Sequence, residues 1–399
     1  MRSMPVCTVS LALLGAASSA SAQSSVTLYG LLDQSVQYVS NATPSGGHLW
    51  QMFGGNLQGN RFGLKGNEDL GGGLQAIFQL ENGFDINTGK LGQGGRLFGR
   101  EAYVGLSAET WGTVTAGRQY DPLVDMIQPL TGDGYFGAPF ATPGDVDNND
   151  NSFRVDNSIK YVSPKFYGVQ IEGMYALGGQ AGSTGSGQSW SAAAGYSGGP
   201  FSMAAGYFHT DNLSSSIPRT GWGGTTGAAT FNSGFPDSAG INSAYVTAKS
   251  IGIASVAFQY EDGQFTGNIS YSNAQYKPDA ASAFQNTQRY NIGRAFLGYQ
   301  ITPASLIGVG YAYVRATGDA SATYNQVSLG GDYALSKRTD LYLVGAWQHA
   351  AGDQRVPSQG GTGGGLVPAT ASIGSYGNQA STDNQILVSF GIRHRFQVE

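Results

Sequence analysis

The sequence predicts an all-β protein, a closed 16-stranded antiparallel transmembrane β-barrel. Three observations predict it. Apolar residues recur at every second position through most of the chain, the period of a strand. The connections between those segments alternate between short and long. Tyr, Phe and Trp gather near segment ends, where a membrane interface would hold them.

Composition excludes the competing classes. Only 12% of the 399 residues are charged, against roughly a quarter in an average soluble domain. Apolar residues make up 40% and aromatics 12%, too many for a disordered chain. Glycine is abundant, at 62 residues, but has no period of three, which excludes collagen. No run of about 20 apolar residues follows residue 22, so a bundle of membrane helices is excluded. Lys and Arg total 21 and Asp and Glu 26, a net charge of −5 without a basic block, so nucleic acid is not an expected partner.

The first 22 residues read as a secretory signal peptide. Arg2 precedes a short apolar core at 6–17, and Ala20 and Ala22 form a small-residue cleavage site before Gln23. The single cysteine, Cys7, lies in this segment, so the mature chain has no thiol chemistry. The barrel domain is expected over 23–399.

Strands follow in order. At 25–39, Val26, Leu28, Leu32, Val36 and Tyr38 share one parity, while Thr27, Asp33, Ser35 and Gln37 share the other. A short segment at 60–66 comes next. At 73–84, Leu74, Ala76, Phe78 and Leu80 alternate with Gln75, Gln79 and Glu81. Further strands are expected at 97–108, 113–119, 154–163, 168–178, 188–196, 200–210 and 249–260. At 264–276, Phe265, Gly267, Ile269, Tyr271 and Ala274 stand against polar neighbours, with one slip in phase. Segments at 287–300, 305–316, 322–335 and 339–350 follow, and the last, at 385–396, alternates Ile386, Val388, Phe390 and Ile392 with Gln385, Ser389, Gly391, Arg393 and Arg395. Most are long enough for a tilted membrane strand, which needs about 9–11 residues, whereas globular strands average about 5–6.

Seven connections are short: 67–72, 109–112, 164–167, 197–199, 261–263, 302–304 and 336–338. Eight lie on the other side, near 40–59, 85–96, 120–153, 179–187, 211–248, 277–286, 317–321 and 351–384, and all but 317–321 are clearly longer. Membrane barrels sort their loops in this way, with both termini on the short-turn side. Closure leaves no unpaired edge in lipid. Tyr29, Tyr38, Trp50, Phe62, Phe84, Trp111, Phe166, Tyr167, Tyr207, Phe208, Tyr299 and Tyr342 are the expected interfacial aromatics. Sixteen strands leave room for a water-filled lumen.

The stretches SSVTLYGLLDQSVQY (24–38), RFGLKGNEDLGGGLQAIFQLENGF (61–84), AYVGLS (102–107), WGTVTAGRQYDP (111–122), RVDNSIKY (154–161), SKRTDLYL (336–343) and GIRHRF (391–396) resemble the general-diffusion porins of Gram-negative bacteria, of the betaproteobacterial and neisserial type. The resemblance covers essentially the whole mature chain in order. It implies a homotrimer in the outer membrane, in contact with lipid and lipopolysaccharide. Each barrel would be a passive pore for ions and small hydrophilic solutes, narrowed by the third outer loop folded inward. The family usually ends on an aromatic residue, whereas here Phe396 is followed by Gln397, Val398 and Glu399, read as a short periplasmic tail.

Parity assigns the wall charges. Phe62 and Leu64 share the outward parity, so Arg61 and Lys65 point inward; Arg154 and Lys160 do so against Val155, Asn157, Ile159 and Tyr161. A charge facing lipid at the midplane would cost about 2–4 kcal/mol. Glu101 is placed inward. Arg100 and Arg118 fall on the outward parity near strand ends, where a bulge could turn each inward. The loop at 120–153 carries six aspartates and no Lys or Arg. By the resemblance it lies inside the barrel, where Asp121, Asp125 and Asp133 would face the basic wall and set up a transverse field, since charged rings and patches are how pores select ions. Asp145, Asp147 and Asp150 partly match a calcium loop, but Asp150 stands where such a loop needs glycine.

No enzyme motif stands up, and no cofactor is implied. His48, His209, His349 and His394 are scattered, outside any metal-binding pattern. The Gly71, Gly73, Ala76 match to a dinucleotide fingerprint precedes a strand rather than a helix. The competing readings are a substrate-specific channel, a surface receptor acting through the loops at 211–248 and 351–384, and a membrane-embedded hydrolase.

Overall fold

A computed structural model describes residues 25–213, 219, 240–357, 364–375 and 379–398. The expected signal peptide and its cleavage site lie outside the described residues, as do parts of the loops at 211–248 and 351–384.

The strands are β1 (Ser25–Val39), β2 (Leu49–Gly54), β3 (Arg61–Gly71), β4 (Leu74–Gly83), β5 (Glu101–Ala108), β6 (Gly112–Gln119), β7 (Val155–Val162), β8 (Val169–Ala176) and β9 (Ser189–Gly198). They continue as β10 (Phe201–Asp211), β11 (Ser250–Asp262), β12 (Phe265–Lys277), β13 (Gln288–Thr302), β14 (Ser305–Thr317), β15 (Ala322–Ala334), β16 (Thr339–Arg355), β17 (Leu366–Pro368) and β18 (Asn384–Val398). Neighbours pair antiparallel in chain order, and β1 closes the cylinder by pairing with β18 from Leu28↔Val398 to Val39↔Leu387. Two of the strands are not separate staves. β2 and β3 pair with the upper and lower halves of the same edge of β1, and β17 is a short flap on the outer end of β16. Among the described residues, sixteen staves therefore close the barrel.

Alternation explains the two faces. On β14, Ile307, Val309, Tyr311 and Tyr313 are exposed on the outside while Ala312, Val314 and Ala316 are buried. The same division runs through β12, β13 and β15. Outward apolar side chains meet lipid, and the inward face carries polar groups and a second set of packed apolar residues.

Three expectations need correction. The outer loop expected at 40–59 contains β2, and the second stave is split by an inserted turn at 55–60. Leu57 and Gln58 backbone N–H groups of that turn donate to the Asp33 carboxylate at 2.7 and 2.9 Å. Gln397 and Val398 do not hang free as a tail; they extend β18 and pair with Tyr29 and Leu28. Among the aromatics assigned to the interface, Tyr29, Phe208 and Tyr342 face inward. Tyr29 donates to Glu81 at 2.8 Å, while Phe208 packs on Phe153 and Tyr342 joins a buried cluster with Phe136 and Phe140.

Candidate functional site

The connection between β6 and β7 enters the barrel. It starts with Asp121, whose carboxylate accepts from the Leu123 N–H at 2.9 Å and caps the helix α1 (Pro122–Met126), with Pro122 in the first turn. A second short helix, α2 (Gly132–Phe136), and 3₁₀ turns at Ala138–Phe140 and Pro143–Asp145 follow. The loop then lies along the inner wall. Phe136 and Phe140 pack on Phe296, Tyr342, Val344 and Leu57. Inward glycines make the room: a Cβ on Gly308 would lie 2.6 Å from the Phe136 ring, and one on Gly310 would lie 2.7 Å from that of Phe140. Ser328 and Gln326 donate to the Pro139 carbonyl at 2.6 and 2.9 Å. Arg294 holds Asp147 in a buried ion pair, Tyr276 donates to the Val146 carbonyl at 2.9 Å, and Ala138 N–H donates to the Asn56 carbonyl at 3.2 Å.

The loop thereby covers the wall on the β8–β16 side and leaves an aperture against the wall that carries Arg61, Arg100 and Arg154. A cavity of about 690 Å³ lies there. Arg61, Arg100, Tyr120 and Arg154 of the wall line it together with Asp125, Gln128, Asp133 and Asp150 of the loop. Tyr120 is the pivot of the basic side. The Arg154 guanidinium stands 4.9 Å and that of Arg100 5.8 Å from its ring centroid, and Arg154 donates to its hydroxyl at 3.0 Å.

The charges are unevenly balanced. Arg100 pairs with Glu81 at 2.5 Å, and Lys160 pairs with Asp125 at 2.6 Å. Arg61 takes part in none of the ion pairs among the described residues. On the loop, burial and the neighbouring Asp150 push the Asp133 carboxyl well above its ordinary value, and burial also raises that of Asp150. Burial lifts Asp121 to about 6 and, with Asp150 and Asp147 beside it, Asp145 to about 7.

Several expected site residues lie elsewhere. Asp121 is not a pore acid: its two carboxylate oxygens accept from Leu123 N–H and from the Asn148 amide, so it shapes the loop. Lys65 lies four residues further along β3 than Arg61, toward the short-turn end, 5.4 Å from the Tyr29 ring centroid and off the cavity lining. Arg118 is held by Asp156 and the Gly99 carbonyl at 2.8 Å, away from the lining. Glu101 points inward in register with Glu81 and accepts from Gln79, outside the lining set. Arg100 is turned inward because it precedes β5, so strand parity does not bind it. The aspartates of the partial calcium loop take protein partners in the structure. Asp145 accepts from the N–H groups of Asp150 and Ser152 at 2.9 Å, Asp147 meets Arg294, and Asp150 accepts from Ser375. No group of three metal-ligating side chains occurs among the described residues. Sequence reasoning missed Tyr120, Gln128 and the turn at 55–60; the only signal was Gly54, Gly55 and Gly59 flanking a polar stretch.

Comparisons agree with this geometry. The Gram-negative porin family matches residues 8–353. An outer membrane porin protein of Bordetella pertussis is 39% identical over 176 residues, 40% of this chain and 44% of that protein. Outer membrane porin protein 32 of Delftia acidovorans is 36% identical over 177 residues, 42% of this chain and 48% of that one. These two matches thus span under half of each relative. The major outer membrane protein P.IB of Neisseria gonorrhoeae is 26% identical over 378 residues, 91% of this chain and 96% of that one. Among solved structures, the anion-selective porin from Comamonas acidovorans superposes with a TM-score of 0.69 at 22% identity, covering 94% of this chain and 100% of that one, a likeness of fold. A cylinder closed strand on strand, a third loop folded within it and a family match over residues 8–353 lead to one conclusion: this chain belongs to the Gram-negative porins and resides in the outer membrane.

Proposed function

We propose that the protein is a passive diffusion channel for ions and small hydrophilic solutes, with a preference for anions set at the constriction. The observation that carries this reading is the cavity between wall and loop. Arg100 and Arg154 converge on Tyr120 there and Arg61 lines the same cavity, while the acids Asp125 and Asp133 are paired or raised toward their neutral form. A narrow passage with low-dielectric walls focuses such a field. Solutes would move down their gradients without a chemical step, so the reading is of a channel and not an enzyme.

The assembly is taken to be a homotrimer embedded in outer-membrane lipid and lipopolysaccharide. A solved structure of OmpT from Vibrio cholerae, described as a trimer form, has a TM-score of 0.60 to this chain at 15% identity. Cleavage near Ala22 and Gln23 belongs to the same proposal.

Planar-bilayer recording of the detergent-extracted protein tests the channel. Stepwise ohmic conductance in groups of three, with swelling of liposomes in small sugars, is the expected result. A folded, heat-modifiable barrel that neither conducts nor admits sugars would overturn it.

A further inference from the structure

The sequence reading treats the connection between β16 and β18 as a surface loop, but its described residues 369–375 run into the barrel. Ala371, Ser372 and Ile373 are wholly buried. Three glutamines of the inner wall form their seat. Gln326, Gln348 and Gln385 stand in register on β15, β16 and β18, and each is buried. Ser372 N–H donates to Gln348 at 2.7 Å and Ile373 N–H to Gln385 at 2.9 Å, while the Gln348 amide donates to the Ser372 carbonyl at 3.1 Å. The Gln348 amide also donates to Gln326 at 2.8 Å, and Gln326 in turn holds Pro139 of the third loop. Amides facing an open lumen would be wet. A row of buried ones is tolerated because the backbone of the loop satisfies it.

The same segment reaches the third loop. Gly144 N–H donates to the Gly374 carbonyl at 2.9 Å, and the Gly144 carbonyl accepts from the Asn242 amide at 3.1 Å. Asn242 is fully buried in the connection between β10 and β11, where Tyr290 of the inner wall donates to the Ile241 carbonyl at 3.2 Å. Three outer loops thus meet at Gly144. Its φ is +62°, and a Cβ there would lie 3.2 Å from the Asn242 side chain and from the Ile241 nitrogen, so the junction needs glycine. Just past Gly374, Ser375 donates to the Asp150 carboxylate. Ser375 and Asp150 line the constriction cavity. They also line a second cavity of about 520 Å³, bounded by Gln51, Phe53 and Asn87 on the long-loop side. Ser375 therefore stands at the threshold between the two.

We propose that the outer loop between β16 and β18 is a second constriction loop: seated on the glutamine row, it carries Ser375 into the aperture beside Asp150 and clasps the third loop at Gly144. The loop then shares in setting which ions pass. Ser375 is a selectivity-determining residue, because it directs a carboxylate of the constriction. Gln348 and Gln385 are positioning residues, which act only through the segment they hold. The part of the proposal that concerns selectivity rests on the protein being a diffusion channel. The placement of the loop does not, and it has a readout of its own.

From residue 23 onward the chain has no cysteine, so an introduced thiol is unique there. The full chain carrying Ser375→Cys is recorded in planar bilayers before and after methanethiosulfonate reagents that attach a sulfonate or a trimethylammonium group. Ala181→Cys, at an exposed position between β8 and β9, is treated alongside. A unit charge about 4 Å from a passing ion changes the local concentration of that ion roughly fivefold. The sulfonate should lower the anion-to-cation permeability ratio by up to about fivefold, and the trimethylammonium should raise it by a similar factor. Position 181 should react without effect. A modified Ser375→Cys with an unshifted ratio, a shift of the same sign from both reagents, or a thiol that neither reagent reaches would overturn the placement of Ser375 in the aperture. Adding Gln348→Leu to Ser375→Cys should cut the reagent-dependent shift to less than half in a barrel that is still heat-modifiable; an undiminished shift means that the glutamine row does not hold the loop. If that variant does not fold, Gln385→Leu is read by the same criterion. Finally, Asp150→Cys/Ser375→Cys should close a disulfide on mild oxidation, read by mass. A pair that stays reduced contradicts the clasp. A pair that closes in a barrel without conductance contradicts the channel reading and leaves the clasp standing.

Discussion

Arg61 and Arg100 differ by one partner. Arg100 shares its charge with Glu81 at 2.5 Å, while Arg61 lines the same cavity without an ion pair among the described residues. Two unit charges 4 Å apart in water interact by about 1 kcal/mol, a factor of roughly five in permeation. Arg61→Gln should therefore lower the anion-to-cation permeability ratio by up to about fivefold, with stability within about 0.5 kcal/mol of wild type. Reversal potential and thermal unfolding read the two halves of this statement. Asp121 lies four residues before Asp125 and twelve before Asp133, yet its task is local. Asp121→Ala removes a helix cap and should cost about 1–2 kcal/mol, seen as faster proteolysis of the loop without a change in the sign of selectivity. The loop carboxyls also give a pH dependence. Burial raises Asp121 to about 6 and Asp145 to about 7 in the folded loop, above their unfolded values. The folded loop then binds more protons, so its stability is full at acidic pH and falls as pH rises through 6 to 7. Asp133 and Asp150 are raised in the same direction, and their ionisation returns negative charge to the aperture. Anion preference should be greatest at acidic pH and decline toward alkaline pH, measured as reversal potential against pH in one salt gradient.

At the level of elements, the third loop is held by shape as much as by hydrogen bonds. Phe136 and Phe140 occupy the space left by inward glycines on β14 and β15. Phe136→Ala would remove a fully buried ring, at about 3–5 kcal/mol of local packing. Gly330→Val would place methyl groups where the Phe136 ring lies. Both should loosen the loop tip, raise single-channel conductance and add open-state noise; unchanged conductance in both would mean that the tip is held by Ser328 and Gln326 instead. Strands such as β1 and β14 were legible because a strict period of two leaves one parity apolar. β2 was not, because six residues around Trp50 and Phe53 follow a glycine-rich stretch and carry too few repeats to show a period. Parity also placed Arg61, Arg154 and Lys160 inward, yet it put Arg100 on the outward side, where the residue escapes the alternation because it lies just before its strand.

Over the whole molecule, the barrel brings together residues far apart in sequence. Asp33 on β1 accepts from Tyr342 on β16 at 2.5 Å and also from the turn at 55–60, so one carboxylate joins the seam of the barrel to the edge of the aperture. Such convergence could not be read from spacing. It needs the register, and the register comes from closure of β1 on β18. The expected acidic side was partly legible for the same reason: Asp125 and Asp133 reach the cavity, whereas Asp121 turns back into its own helix. If the wall arginines outweigh the loop acids at the constriction, the channel prefers anions. The reversal potential of wild type and of Arg61→Gln/Arg154→Gln, in bilayers under a potassium chloride gradient, tests it most directly. Wild type should reverse on the chloride side of zero and the double variant should move toward the potassium side. A cation-selective wild type, or a double variant with an unchanged reversal potential, would contradict it.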